Sequence, residues 1–239
     1  MADSANNSVD TAKNYQNVLN EMTEVLRKSG RDSNACTLIA VSKTKPVEMM
    51  LPVYEAGCRD FGENKVQEIM DKYDKMPSDV RWHMIGHLQT NKIKYIIDKV
   101  YMIHSVDSLH LAEAISKEAV KKNVTARILL EVNVAKEESK FGVTLEETAE
   151  FYKNVCKLPN LSVEGLMTIA PYVEDAEKNR QYFAKLRQLS VDTGIKKTDN
   201  NIGAELSMGM SGDYIVAIEE GATFIRVGTG IFGERVYVV

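Results

Sequence analysis

Thr37-Leu38-Ile39-Ala40-Val41-Ser42-Lys43-Thr44-Lys45-Pro46 reads as a buried strand that ends on a lysine. Leu38 to Val41 is a short apolar run with β-branched members, and Pro46 suits the first turn of a following helix. Alternation along a strand puts Ile39, Val41 and Lys43 on one face. The first two want a core, so the amine of Lys43 points the same way. Lys45 shares that face only if the strand continues, and Pro46 argues against this. A partly desolvated lysine has a lowered pKa, because losing water costs the charged form more than the neutral one. A neutral amine can attack a carbonyl and form a Schiff base. In the purely structural alternative, Lys43 ends the strand and its ammonium reaches solvent.

Working outward, residues 1–9 are small and polar, and we expect a flexible N-terminus there. Over 10–28 the residues Tyr15, Val18, Leu19, Met22, Val25 and Leu26 recur at helical spacing, and Gly30 ends the helix. Beyond the Lys43 strand the pattern alternates. Helices are predicted over 47–56, 65–75, 91–98, 109–122, 145–157, 175–192 and 213–220. Strands are predicted over 59–62, 81–85, 101–106, 127–134, 161–169, 205–208 and 223–227. Asp107 or Ser108 caps the helix over 109–122. Eight strands, each but the last followed by a helix, in a chain of 239 residues predict a closed (β/α)8 TIM-type barrel with an extra N-terminal helix. A doubly wound open sheet is the alternative. No linker or composition shift divides the chain, so one domain over 10–239 is expected.

A barrel of this kind carries its active face at the C-terminal ends of its strands. Those ends read Lys43; Glu63-Asn64; Gly86-His87; Ser105-Val106-Asp107; Glu131-Val132-Asn133; Met167-Thr168-Ile169; Ser207-Met208-Gly209-Met210-Ser211; and Arg226-Val227-Gly228-Thr229-Gly230. One rim thus collects most of the unusual polar and glycine residues. Small residues before a helix let backbone amides approach an anion, and loops after strands seven and eight are a common barrel phosphate site. The bland alternative is that the glycines only make tight turns. A lysine for an aldehyde and a cradle for a phosphate suit pyridoxal phosphate. Arg226 could reach the ring of such a ligand. If it meets the pyridine nitrogen, its fixed charge keeps that nitrogen unprotonated, which makes the ring a poorer electron sink. Equally, Arg226 could form an interior salt bridge with Glu131 or Glu205.

Six segments in order resemble the pyridoxal phosphate homeostasis proteins, also called proline synthetase co-transcribed proteins. They are Ile39-Ala40-Val41-Ser42-Lys43-Thr44-Lys45-Pro46, Phe61-Gly62-Glu63-Asn64-Lys65-Val66-Gln67-Glu68, Trp82-His83-Met84-Ile85-Gly86-His87-Leu88-Gln89-Thr90-Asn91-Lys92, Gly165-Leu166-Met167-Thr168, Leu206-Ser207-Met208-Gly209-Met210-Ser211 and Ile225-Arg226-Val227-Gly228-Thr229-Gly230-Ile231-Phe232-Gly233. The resemblance implies a barrel of the alanine racemase N-terminal type and a pyridoxal 5'-phosphate Schiff base on Lys43. It implies phosphate contacts from Ser207, Gly209, Met210 and Ser211 and from Gly228 and Thr229. It places Arg226 near the ring nitrogen, and Asn64 and His87 close to the cofactor. It further implies a non-catalytic protein of vitamin B6 and amino-acid homeostasis that buffers the cofactor or delivers it to recipient enzymes.

The competing readings are a pyridoxal phosphate enzyme with weak racemase or lyase activity and a Schiff-base aldolase acting on a phosphosugar. An enzyme needs an acid–base group near the reacting carbon, and His87 is the neutral-pH candidate. A racemase similar to alanine racemase also draws a tyrosine from a second, β-rich domain across a dimer. The chain ends at Val239, soon after the eighth strand, so that domain is not expected, and a monomer is expected over an obligate dimer.

Composition narrows the classes. The chain is 44% hydrophobic and 27% charged with a net charge of -4, which suits a globular protein and gives no broad nucleic-acid surface. No apolar run is long enough to span a bilayer, and the N-terminus lacks a signal-peptide core. Cys36, Cys58 and Cys156 form no close pair, which points to a reducing, cytoplasmic setting. His83 and His87 stand four apart, but Gly86 intervenes at a strand end, so no metal pair is expected. His104 reads as a satisfied barrel residue.

Overall fold

The computed structural model describes residues 9–137, 140–195 and 203–234; the expected flexible stretch 1–9 lies outside these residues except for Val9. Eight strands follow one another as β1 (Thr37–Val41), β2 (Asp60–Glu63), β3 (Arg81–Met84), β4 (Met102–Val106), β5 (Ala126–Glu131), β6 (Leu161–Met167), β7 (Glu205–Ser207) and β8 (Phe224–Val227). Each pairs in parallel with the next, and β8 returns to β1 with Ile39 opposite Arg226. That last pairing closes the barrel and excludes the open sheet.

The helices are α1 (Thr11–Lys28), α2 (Val47–Glu55), α3 (Val66–Tyr73), α4 (Ile93–Ile96), α5 (Leu109–Lys122), α6 (Thr148–Val155), α7 (Arg180–Asp192), α8 (Tyr214–Glu219) and α9 (Thr229–Phe232). Two differ from expectation. The segment 91–98 is a 3-10 turn, Thr90–Lys92, followed by the single turn α4, and α7 is likewise preceded by a 3-10 turn, Ala176–Asn179. The glycine-rich loop after β8 contains the one-turn helix α9. It is too short to cover the sheet, and α1 fills the gap in the outer ring by packing against α2, α8 and α9. The buried face of α1 carries Tyr15, Val18, Met22 and Leu26, each burial contributing about 1.5–3 kcal/mol for a side chain of that size. The Asp10 carboxylate caps α1 by accepting the Lys13 N–H at 3.0 Å. β5 stops three residues before its expected end: the Val132 N–H still donates to the Met167 carbonyl of β6 at 2.8 Å, and Val132 then makes an isolated bridge to Val143.

Strand alternation feeds two cores. One lies between sheet and helices, with Leu38, Ala40, Phe61, Trp82 and Met84 among its members. The other fills the barrel with Ile39, Val41, Ile85, Met102, Leu129, Met167 and Phe224. The N-terminal face of the barrel is closed by charge. Arg81 pairs with Asp60, Arg127 donates to both carboxylate oxygens of Glu164 at 2.7 and 2.8 Å, and the Tyr101 ring lies 4.3 Å from the Arg127 guanidinium carbon. No helix among the described residues is long and apolar enough to cross a membrane.

Candidate functional site

At the opposite face the strands end around a cavity of about 500 Å3, a size ordinary for small-molecule sites. The ends of β1, β2, β3, β6, β7 and β8 contribute to its wall. Of the ten expected site residues, Lys43, Asn64, Met210, Ser211, Arg226, Gly228 and Thr229 line it together.

Lys43 is half-buried, and its direction is set by the turn that follows β1. Ser42 faces the helix layer, where its hydroxyl donates to Glu63 Oε1 at 2.6 Å. Alternation therefore turns Lys43 inward. Thr44 then takes a left-handed φ of 64°, a conformation a β-branched residue rarely adopts. The turn is held by the Thr44 N–H donating to Glu68 Oε2 at 2.5 Å and the Lys45 N–H donating to the Ser42 carbonyl at 3.0 Å. Behind it, Lys72 Nζ donates to Glu63 Oε1 at 2.7 Å and to the Ser42 carbonyl at 2.9 Å. Burial pushes the Glu63 carboxyl up to about 7 against the pull of the Lys72 charge and of the hydrogen bonds from Lys72 and Ser42. The turn also brings Lys45 to the cavity wall, which strand alternation alone did not foresee. Its ammonium donates to the carbonyls of Phe232 and Glu234 at 2.9 and 2.8 Å.

Arg226 is the buried cation of the site, only 5% exposed. Nη1 donates to Ser207 Oγ at 2.6 Å and Nη2 to the Thr168 carbonyl at 2.8 Å. Burial pushes its pKa down to about 10, while the Glu131 and Asp213 carboxylates act to raise it, so it stays charged at neutral pH. It forms no salt bridge with Glu131 or Glu205 among the described residues.

The β7 and β8 loops are stitched together by Ser211, whose Oγ accepts the N–H groups of Gly228 and Gly230 at 3.2 and 3.3 Å. The N–H groups of Ser211 and Gly212 make no hydrogen bond among the described residues, and a Cβ built on Gly212 would meet nothing within 4 Å. This stretch of wall thus offers backbone donors beside open space, as a phosphate requires. Asp213 fixes the loop by accepting from the Met210 N–H at 2.7 Å and from the Asn179 amide at 2.7 Å. The Asn64 Oδ1 is buried without a hydrogen-bond partner. A half-buried amine, a guanidinium, free backbone donors and an unpartnered amide oxygen around one cavity fit a phosphorylated aldehyde with a polar ring.

Three expected residues stand elsewhere. The chain turns at Gly86 hard against the backbone of Asn64, where an added Cβ would lie 2.4 Å from the Asn64 oxygen. This close approach sends His87 outward, where its side chain is 43% exposed, stacks on Phe141 at 4.2 Å and lies 3.4 Å from Asp107. Ser207 is buried, its hydroxyl engaged by Arg226 and His104. Gly209, at φ 89°, packs against α8, where an added Cβ would lie 2.6 Å from Ala217 Cβ. Conversely, Ile85, Pro171, Tyr172, Val173 and Asn179 line the cavity without having been foreseen. Most are apolar or lie in a loop, and nothing in their spacing separates them from core or surface.

The model of the alanine racemase N-terminal domain family matches residues 5–236. A pyridoxal phosphate homeostasis protein of Aquifex aeolicus is 44% identical over 96% of this chain and 100% of its own length. The structure of PipY from Synechococcus elongatus PCC7942 with PLP bound superposes with a TM-score of 0.76 at 34% identity, covering 89% of this chain and 100% of PipY. Alanine racemase of Clostridium difficile 630 shares the fold, with a TM-score of 0.72 at 15% identity over 95% of this chain and 58% of the racemase. This chain belongs to the pyridoxal phosphate homeostasis protein family, built on the alanine racemase N-terminal domain.

Proposed function

We propose that this protein binds pyridoxal 5'-phosphate through a Schiff base on Lys43, and that it buffers the cofactor or delivers it to recipient enzymes in the cytoplasm without turning over a substrate of its own. The observation that carries this reading is the meeting of Lys43, Arg226 and the Ser211–Gly212 backbone around one cavity. Lys43 is the nucleophile because it continues the inward-facing row of Ile39 and Val41 to the cavity wall. Met210, Ser211, Gly212, Gly228 and Thr229 hold the phosphate end, Asn64 flanks the ring, and Arg226 meets the ring nitrogen. When bound, the cofactor supplies an aldehyde carbon that exchanges between amines. An Arg226 cation at the ring nitrogen weakens its use as an electron sink, which favours holding over chemistry. The outward turn of His87 takes the one expected neutral-pH acid–base group away from the cavity and counts against a racemase or lyase.

The test is an absorbance spectrum of purified protein with added pyridoxal phosphate, before and after borohydride, with peptide mapping of the reduced adduct. We expect a yellow protein reduced onto Lys43. Lys43→Ala should lose the adduct yet retain weaker, phosphate-anchored binding. A protein that stays colourless, or an adduct on Lys45, would overturn the assignment.

A further inference from the structure

Beside the apolar side chains that fill the barrel, one line of hydrogen-bonded polar side chains crosses it from face to face. Asp60 at the N-terminal face accepts from Arg81 Nε at 2.8 Å. His83 Nε2 lies 2.9 Å from the same Asp60 oxygen, His83 Nδ1 lies 2.9 Å from His104 Nε2, and His104 Nδ1 lies 2.9 Å from Ser207 Oγ. Ser207 Oγ in turn accepts from Arg226 Nη1 at 2.6 Å. Asp60, His83, His104, Ser207 and Arg226 are all buried.

With both imidazoles neutral, the carboxylate end fixes every proton in the line. A guanidinium only donates and a carboxylate only accepts. Arg226 donates to Ser207, and the Ser207 hydroxyl then gives its own proton to a bare His104 Nδ1. A bare Nδ1 on His104 makes its Nε2 the donor, which leaves His83 Nδ1 bare and its Nε2 the donor to Asp60. In this arrangement both imidazoles share one neutral tautomer, and each ring nitrogen has a partner. The surroundings agree. Burial pushes the His83 pKa down, and the Arg81 and Arg127 charges act the same way against Asp60. Burial, then His83 and Arg226, push His104 down further. Tyr101 and Phe224 are the aromatic neighbours of the pair. A chain of this kind adds little stability over apolar packing, because desolvating polar groups offsets what their bonds return. What it does supply is direction for the cation at its end.

We infer that Asp60, His83, His104 and Ser207 form a one-directional hydrogen-bond chain that positions Arg226, turning one edge of its guanidinium into the barrel and leaving its remaining N–H groups for a ring-nitrogen acceptor in the cavity. The ligand half of this inference rests on the pyridoxal phosphate reading; the chain itself does not. The four members are positioning residues, because only Arg226 reaches the cavity wall.

Two measurements test it. In ligand-free wild-type protein, side-chain nitrogen NMR should show His83 and His104 as neutral Nε2–H tautomers from about pH 5.5 to about pH 8.5, with the Arg226 Nη protons slow to exchange. His104→Phe removes both imidazole bonds at similar volume, and Arg226 exchange should quicken at least tenfold. Binding is then compared between pyridoxal phosphate and 1-deazapyridoxal phosphate, which has carbon in place of the ring nitrogen. His104→Phe should weaken the first about tenfold and the second less than about twofold, and His104→Asn, which keeps an oxygen near the Nδ1 position, should restore part of the difference. Equal weakening of both compounds would make the chain merely structural and overturn the positioning role. A titrating or Nδ1–H histidine would overturn the chain, even if His104→Phe fails to fold. Wild-type protein that binds neither compound would overturn the pyridoxal phosphate reading and with it the ring-nitrogen role, while the histidine and arginine signals still decide whether the chain orders Arg226.

Discussion

Glu131→Gln should make this protein more stable at pH 8 than the wild type by a margin that shrinks towards pH 5. Glu131 ends β5 and is 5% exposed. Burial, and then the Asp107 carboxylate, push its carboxyl from 4.5 up to about 7, while the Arg226 and Lys140 charges only partly oppose this. A carboxyl whose folded pKa lies above its unfolded value binds its proton more tightly in the folded state. Its contribution is therefore complete below about pH 4.5 and disappears as pH rises through about 7. Between pH 5 and pH 8 that amounts to roughly 2.5 kcal/mol, which a glutamine does not lose. Urea unfolding of both proteins at both pH values gives the difference of differences, in which any packing change common to the two pH values cancels. A change below about 0.5 kcal/mol, or a glutamate favoured at pH 8, would refute the reasoning. The second result would mean that attraction to Arg226 outweighs burial.

Lys72→Met should cost about 3–5 kcal/mol, because it leaves the fully buried Glu63 without its counter-ion. The loss should be smaller at pH 6 than at pH 8, since the Glu63 carboxyl, already at about 7, can take up a proton; a loss independent of pH in denaturant melts would count against this. Gly86→Ala would put a Cβ 2.4 Å from the Asn64 oxygen, so the backbone must move at a cavity residue. It should destabilise by about 1–3 kcal/mol and weaken pyridoxal phosphate binding, read by equilibrium titration of the colour. Unchanged binding would show that Asn64 does not contribute to the ligand wall.

Local rules in the chain sufficed for much of this. Thr37 to Val41 had to be a strand and the Tyr15–Leu26 face a helix, because apolar spacing reports which side of an element leaves water. Eight such strands with helices between them admit few folds, and Lys43 points inward because Ile39 and Val41 do. The glycines and serines of the β7 and β8 loops marked the side where we propose the phosphate, since small residues are needed wherever backbone must approach a ligand. Tertiary structure alone decided the rest. His87 faces solvent because Gly86 abuts the Asn64 backbone from another strand, and Lys45 reaches the cavity because Thr44 bends left-handed onto Glu68. Ser207 serves Arg226 because β4 delivers His104 beside it, 103 residues away in the chain. Periodicity says which face of an element is buried. Which polar group it meets there depends on the register and closure of the barrel, and those are set by all eight strands at once.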